Sequence, residues 1–215
     1  MKKLVIFDLD GTLLNTIADL SAAANYALEQ CGFPLHTVDE VRSFVGNGIG
    51  KLLERSLPES ERSQANMARM REKFVSYYNI HNADLSKPYP GISDMLLRLQ
   101  ERGILLAVAS NKYQLATEKL VAYYFPKVHF AKVCGQREGI PTKPHPMVVE
   151  SILSAVNVEK SDVLYVGDSD VDMQTAINAG VDAVAVSWGF RPRAELEDFH
   201  PLAVIDAAEE LDRFC

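Results

Sequence analysis

The stretch LVIFDLDGT, residues 4–12, decides the fold. Its first four residues are all apolar and give way at once to an acidic turn, which is typical of a strand buried on both faces of a parallel sheet. Ligands of open α/β sheets bind beyond the carboxyl ends of such strands. Side chains two residues apart on an extended segment point the same way, so Asp8 and Asp10 are predicted to share one cavity.

Three later apolar runs repeat this pattern and predict further strands, at residues 104–109, 163–166 and 183–186. Between them, apolar residues recur three and four apart, as in residues 92–99 and 148–156, and this spacing predicts helices. Strands that alternate with helices indicate an α/β fold. We therefore expect a Rossmann-like parallel sheet core with helices on both faces.

Residues 16–85 interrupt the alternation, because they contain helical patterns and no convincing strand. One helix face runs from Ile17 to Cys31 and can close at Gly32, and Thr37 and Glu40 form a capping box for a second helix. A third helix is expected after Gly48 and a fourth over residues 60–82. We predict a small inserted all-helical cap at 16–85, with the core formed by 1–15 and 86–215.

The pair Asp8 and Asp10 has both a catalytic and a structural interpretation. Two carboxylates in one cavity titrate together, so one can remain an ionised nucleophile while the other exchanges a proton as general acid and base. The alternative is an ordinary solvated turn. The residues that follow the other strands have to decide between the two.

Ser110 and Asn111 follow the predicted strand at 104–109, with Lys112 next. We expect them to open a helix, where a hydroxyl, an amide and free backbone N–H groups would bind phosphoryl oxygens. Simple capping of the helix is the structural alternative.

Two further segments supply a metal ligand and a cation. Asp168 and Asp172 follow the strand at 163–166, and carboxylate oxygens are the ligands that Mg²⁺ prefers. The alternative is a helix start, where acidic residues are favoured. Lys143 lies between prolines that stiffen its backbone, so it can neutralise Asp8 and a phosphate at modest entropic cost, although an exposed loop lysine would have the same surroundings in sequence.

Composition limits the classes of partner. The formal net charge of −7 and the lack of a basic run argue against nucleic acid as a partner. No apolar stretch approaches the roughly 18 residues that a membrane span needs. Three scattered cysteines form neither a disulfide framework nor a zinc site, which favours a reduced, cytoplasmic setting.

The chain resembles the haloacid dehalogenase superfamily over essentially its whole length, through four motifs in order: Asp8-x-Asp10-Gly11-Thr12, Ser110-Asn111, Lys143 and Gly167-Asp168-x-x-x-Asp172. The ordered set is far more specific than any one of its members.

The resemblance implies roles for these residues. Asp8 would be the nucleophile and Asp10 the general acid and base, with Mg²⁺ held by Asp8, the carbonyl of Asp10 and Asp168, and with Asp172 in support. Lys143 would neutralise the phosphate, which would also be bound by Thr12, Ser110 and Asn111.

The insert resembles the cap of phosphoglycolate phosphatase-like members, and the segment at 45–48 resembles their cap loop. Gly46, Asn47 and Gly48 would then bind substrate, although a helix–helix turn explains them equally well. Asn15 departs from the Asp that relatives often carry.

The expected activity is that of a Mg²⁺-dependent phosphatase acting on a small phosphorylated metabolite through an aspartyl phosphate. A sugar phosphomutase and an inorganic pyrophosphatase are alternatives on the same fold. A non-catalytic binding module is disfavoured, because every motif residue is present.

Overall fold

A computed structural model describes all residues from Met1 to Cys215. Eight strands form a six-stranded parallel sheet and a two-stranded antiparallel sheet. The strands are β1 (Leu4–Phe7), β2 (Leu14–Asn15), β3 (Lys87–Pro88), β4 (Leu105–Tyr113), β5 (Phe130–Gln136), β6 (Val163–Gly167), β7 (Asp182–Val186) and β8 (Ala203–Ile205). The order of the parallel sheet is β5-β4-β1-β6-β7-β8, and β2 pairs with β3 in the small antiparallel sheet.

Nine α-helices accompany the strands: α1 (Ile17–Cys31), α2 (Val38–Phe44), α3 (Gly48–Ser56), α4 (Gln64–His81), α5 (Ile92–Glu101), α6 (Gln114–Tyr124), α7 (Met147–Val156), α8 (Asp170–Ala179) and α9 (Arg193–Glu197). Short 3₁₀ helices occupy Glu59–Glu61, Lys160–Asp162 and Ala208–Phe214. Separate apolar clusters cover the two faces of the sheet, which confirms the α/β fold class. No helix combines the length and the apolar character that a bilayer crossing requires.

The centre of the sheet is β1, and its four residues are fully buried. Phe7, the last residue of β1, lies opposite Val108 of β4 and Val166 of β6, so β1 and β6 end at nearly the same level. The N–H of Asp8 donates to the carbonyl of Val166 at 2.9 Å. The residues that follow β1 and β6 therefore emerge side by side at one edge of the sheet.

The expected helix start at Ser110 is wrong. Strand β4 continues through Tyr113, which pairs with Gln136 of β5, and α6 begins only at Gln114. The pairing with β5 is irregular between Ala109 and Tyr113, but Ser110 and Asn111 belong to the strand, so no helix N-terminus lies at these residues. The edge strand β5 itself has no periodic apolar pattern, because it is half-buried and mixes polar with apolar residues.

The helices of residues 17–81 have their own apolar cluster, drawn almost entirely from α1 to α4. The Thr37 capping box begins α2, and Gly32 ends α1 with a φ of 78°, as the sequence predicts. The two connections between these helices and the rest of the chain run through the paired strands β2 and β3. Asp19 of α1, which is 2% exposed, fixes the second connection by accepting hydrogen bonds from the N–H groups of Leu85 and Ser86 and from the Ser86 hydroxyl.

Candidate active site

Three buried carboxylates meet beyond the ends of β1 and β6. Oxygen atoms of Asp8, Asp168 and Asp172 all lie within 4.8 Å of one another. Like charges this close repel, so the cluster requires compensating cations. The prediction that these distant segments converge agrees with the structure.

Lys143 supplies one of these cations. Its Nζ lies 2.9 Å from Asp8 Oδ1 and 2.7 Å from Asp172 Oδ1, and the residue is only 4% exposed. An exposed loop lysine is therefore excluded. Asn111 fixes the lysine backbone, because its Oδ1 accepts from the Lys143 N–H at 2.8 Å while its Nδ2 donates to the Lys143 carbonyl at 3.1 Å.

Asp172 supports Lys143 and is fully occupied in doing so. Its Oδ1 accepts from Lys143 and from the Tyr165 hydroxyl, and its Oδ2 accepts from the Ser169 N–H and hydroxyl. Ser169 and Asp172 form the capping box of α8. The helix-start interpretation of this segment is thus correct for Asp172 and holds together with a role in the site.

Asp168 is oriented from two sides. Its Oδ1 accepts from the Thr12 hydroxyl at 2.9 Å, and its Oδ2 accepts from the Phe190 N–H at 2.7 Å. A Cβ built on Gly11 or Gly189 would collide with the Asp168 side chain, so only glycine fits at either position. Thr12, predicted to bind phosphate, has its hydroxyl on Asp168.

Electrostatics favour a bound cation in this cluster. Burial and the Asp172 charge raise the pKa of the Asp8 carboxyl well above its usual value, against the influence of Lys143. Burial and Asp172 likewise raise the pKa of Asp168 to about 7. Burial lowers the pKa of Lys143, but Asp172 and Asp8 outweigh it and leave that pKa well above its usual value.

A divalent cation fits the residues that are present. Asp8 Oδ1 is buried and accepts no hydrogen bond, although Lys143 lies beside it. Hard oxygen ligands suit Mg²⁺, and its charge would offset the repulsion between Asp8 and Asp168. Each oxygen of Asp172 already accepts two hydrogen bonds, so Asp8 and Asp168 are the carboxylates that could hold the ion.

Asp10 lies at the mouth of this cluster, with its side chain 12% exposed. Its Oδ1 accepts from the Thr16 hydroxyl at 2.6 Å, and its Oδ2 lies 3.0 Å from Lys112 Nζ. Lys112 also donates to the hydroxyl of Tyr78, which belongs to α4. The sequence analysis predicts no role for Lys112 or Tyr78. The only sequence feature that could have indicated Lys112 is its position directly after Ser110 and Asn111.

The segment at 45–48, which joins α2 to the first residue of α3, contacts the sheet edge and is more than a helix–helix turn. The Gly46 carbonyl accepts from Asn111 Nδ2 at 2.9 Å, and the Val45 carbonyl accepts from Arg191 at 2.6 Å. Asn47 is different, because its Oδ1 accepts from Arg55 and it does not line the cavity described next. Arg191 was not predicted.

A cavity of about 50 Å³ lies between these groups. One wall consists of the polar residues of the sheet edge, including Asp8, Asp10 and Ser110. The other is formed by apolar side chains of α1 to α4 and the segments between them, which we call the helical layer: Leu20, Val45, Ile49, Leu52 and Phe74. Buried reactive groups on one side and an apolar cover on the other are typical of a small-molecule site.

Comparison with known proteins agrees with this geometry. Residues 5–186 match the model of the haloacid dehalogenase-like hydrolases, so the chain belongs to that family. A phosphoglycolate phosphatase of Mesorhizobium japonicum is 34% identical over 98% of this chain and 93% of its own, and one of Vibrio parahaemolyticus is 31% identical over 97% and 94%.

Crystal structures show the same architecture. A protein from Lactobacillus delbrueckii subsp. bulgaricus superposes with a TM-score of 0.92 at 35% identity, over 99% of this chain and 98% of its own. A predicted phosphoglycolate phosphatase from Haemophilus somnus gives the same TM-score at 26% identity, over 99% and 97%. The prediction of an enzyme of this superfamily, a phosphatase of the haloacid dehalogenase type, is confirmed.

Proposed function

We propose that this enzyme is a Mg²⁺-dependent phosphatase that hydrolyses a small phosphate monoester, such as phosphoglycolate, through an aspartyl phosphate on Asp8. One observation carries the proposal: the buried Asp8 carboxylate has the Lys143 ammonium at 2.9 Å and the Asp168 carboxylate beside it. This arrangement offers a nucleophile, a fixed cation and a metal ligand to one phosphoryl group.

The reaction consists of two displacements at phosphorus. An oxygen of Asp8 forms a bond to phosphorus as the ester P–O bond breaks, and Asp10 gives its proton to the leaving oxygen. In the second step Asp10 takes a proton from water, whose oxygen attacks phosphorus. The bond to Asp8 breaks, and both carboxyl groups return to their starting states.

The neighbouring residues bind and orient. Asp8, Asp168 and the carbonyl of Asp10 would hold Mg²⁺, which supplies positive charge to the phosphoryl oxygens. Lys143 binds one of these oxygens, and the Ser110 hydroxyl, which accepts only from the Lys112 N–H, is free to donate to another. Asn111 contributes by holding Lys143 in place.

We infer that residues 16–85 act as a cap on a core formed by the rest of the chain. The separate apolar cluster of α1 to α4 and the paired connections at β2 and β3 support this division. With the cap closed, the small cavity limits the leaving group to a few atoms and excludes bulk water. Small size accords with the relatives named phosphoglycolate phosphatase.

The direct test is phosphate release across a panel of phosphate esters, with Mg²⁺ and with a chelator. We expect hydrolysis of phosphoglycolate that depends on the cation. Hexose 1-phosphate and pyrophosphate belong in the panel, because an isomerised sugar phosphate or rapid release from pyrophosphate would contradict the proposal in favour of a mutase or a pyrophosphatase. Phosphate retained on wild-type protein after acid quenching, and absent from Asp8→Asn, would support the intermediate.

A further inference from the structure

Lys112 is a buried cation that the two displacements do not use. It lies near the end of β4, is 8% exposed, and has its Nζ 3.0 Å from Asp10 Oδ2 and 2.8 Å from the Tyr78 hydroxyl. The same Nζ lies 4.7 Å from the centre of the Tyr78 ring. An ammonium group has three N–H donors, and these two partners occupy two of them.

Lys112 and Arg191 are the two positively charged residues that line the cavity. Arg191 donates to the carbonyls of Arg42 and Val45, and its Nε lies 3.4 Å from the Asp170 carboxylate and 3.7 Å from that of Glu195, so two carboxylates already balance its charge. Most of the remaining cap wall is apolar. Lys112 is therefore the cation that can best replace the lost hydration of an anionic group in the cavity.

The position of Lys112 also limits where such an anion lies. In the proposed reaction Asp10 gives its proton to the leaving oxygen, and Lys112 Nζ lies within hydrogen-bond distance of Asp10 Oδ2. An anion held by Lys112 must therefore lie only a few bonds from the oxygen that leaves phosphorus. This distance suits a carboxylate one or two carbons away and does not suit the far end of a long chain.

We propose that Lys112, together with the Tyr78 hydroxyl, binds a carboxylate of the leaving group and so selects small phosphate esters that carry this second negative charge. The inference rests on the proposed function, and it makes Lys112 a specificity-determining residue. Because Tyr78 belongs to α4 and Lys112 to β4, the carboxylate site is complete only when the helical layer lies against the sheet. The adjacent pair, Tyr113 hydroxyl to Asn79 Oδ1 at 2.6 Å, joins the same two elements.

The test is a ratio of kcat/KM values for two esters of matched size, phosphoglycolate and 2-hydroxyethyl phosphate. We expect the wild type to favour the carboxylate. Lys112→Met, which keeps the length of the side chain without its charge, should lower the ratio about 10- to 100-fold, the range for a hydrogen bond to a charged group. Tyr78→Phe should lower it by a smaller factor.

Lys119→Met is the matched control. Lys119 is exposed on α6 and donates to the carbonyl of Asn79, next to Tyr78. The substitution therefore removes the same charge from the same region without changing the cavity. Its ratio should equal that of the wild type. Thermal unfolding establishes that each variant is folded, and Lys112→Gln replaces Lys112→Met should the latter fail to fold.

The outcomes separate the two proposals. Hydrolysis of neither ester by the wild type would overturn the proposed function and this inference with it. Hydrolysis of both esters with equal kcat/KM, or an equal loss for both in Lys112→Met, would overturn the carboxylate site alone, because Lys112 would then act only on Asp10.

Discussion

The sheet edge and the helical layer form opposite walls of one cavity, and they differ in how fully their polar groups are bonded. On the sheet edge, Asp168 accepts one hydrogen bond on each oxygen, Asp172 accepts two on each, and Lys143 is held through side chain and backbone. The layer of α1 to α4 presents mainly apolar side chains, with Tyr78 as its polar contact to Lys112. Fixed polar groups suit chemistry, whereas an apolar cover suits selection among leaving groups.

The sharpest way to break this contrast is Asp8→Asn. We expect kcat to fall by at least about 10⁴-fold, because an amide cannot form the aspartyl phosphate. The melting temperature of the metal-free protein should not fall, since the substitution removes a buried carboxyl group that two neighbouring carboxylates repel. A pure sample that retains more than a small fraction of wild-type turnover would refute the assignment of the nucleophile.

Asp172→Ala tests whether the sheet edge depends on its bonding network. The change leaves Lys143, Tyr165 and Ser169 without their common acceptor in a fully buried setting. We expect the free energy of unfolding to fall by about 3–5 kcal/mol, as when one partner of a buried ion pair is lost. Urea denaturation measures it, and a loss below about 1 kcal/mol would show that the network contributes little.

Asp19→Ala tests the connection between the two walls. Its removal leaves the N–H groups of Leu85 and Ser86 and the buried Ser86 hydroxyl without their acceptor, and we expect the free energy of unfolding to fall by about 2–4 kcal/mol. Asp19 does not line the cavity, so the selectivity between phosphoglycolate and 2-hydroxyethyl phosphate should remain near that of the wild type in the folded variant. A changed selectivity with unchanged stability would contradict this.

The smallest predicted effect concerns pH and the cation. The pKa of Asp168 is about 7 when folded and near 4 when unfolded, so the folded state holds its proton more tightly and metal-free stability falls as pH rises through this window. In the proposed site, Mg²⁺ would bind the ionised carboxylate. Its affinity should therefore be at least about tenfold weaker at pH 5.5 than at pH 8.

Isothermal titration at both pH values measures this difference in affinity, and the rise in melting temperature caused by Mg²⁺ gives a second reading. Asp168→Asn lacks the titrating ligand and provides the control. Equal Mg²⁺ affinity of the wild type at the two pH values would contradict the prediction.

Much of the sheet edge was predictable because it follows from topology. The carboxyl ends of parallel strands meet at one edge, so the positions of Asp8 and Asp168 after two apolar runs were enough to predict that they converge. The extension of β4 through Ser110 was not predictable, since the signals for a helix start and for a strand with polar residues coincide there. Only pairing with β5, an edge strand without a clear pattern, decides between them.

The helical layer was predictable only in part. Capping residues such as Thr37 and Gly32 marked the ends of its helices. Which residues face the cavity depends on how helices pack against the sheet, and local sequence does not specify this. Tyr78 and Arg191 were therefore missed, and Asn47 was assigned to a cavity that it does not line.

Asn111 connects the two walls through a single amide. Its Nδ2 donates to Gly46 in the helical layer and to Lys143, and its Oδ1 accepts from Lys143. In the proposed opening of the cap, the bond to Gly46 would be lost while both bonds to Lys143 would remain. Lys143, the lysine proposed to bind phosphate, would then stay in position between turnovers, and each new substrate would meet a preorganised cation.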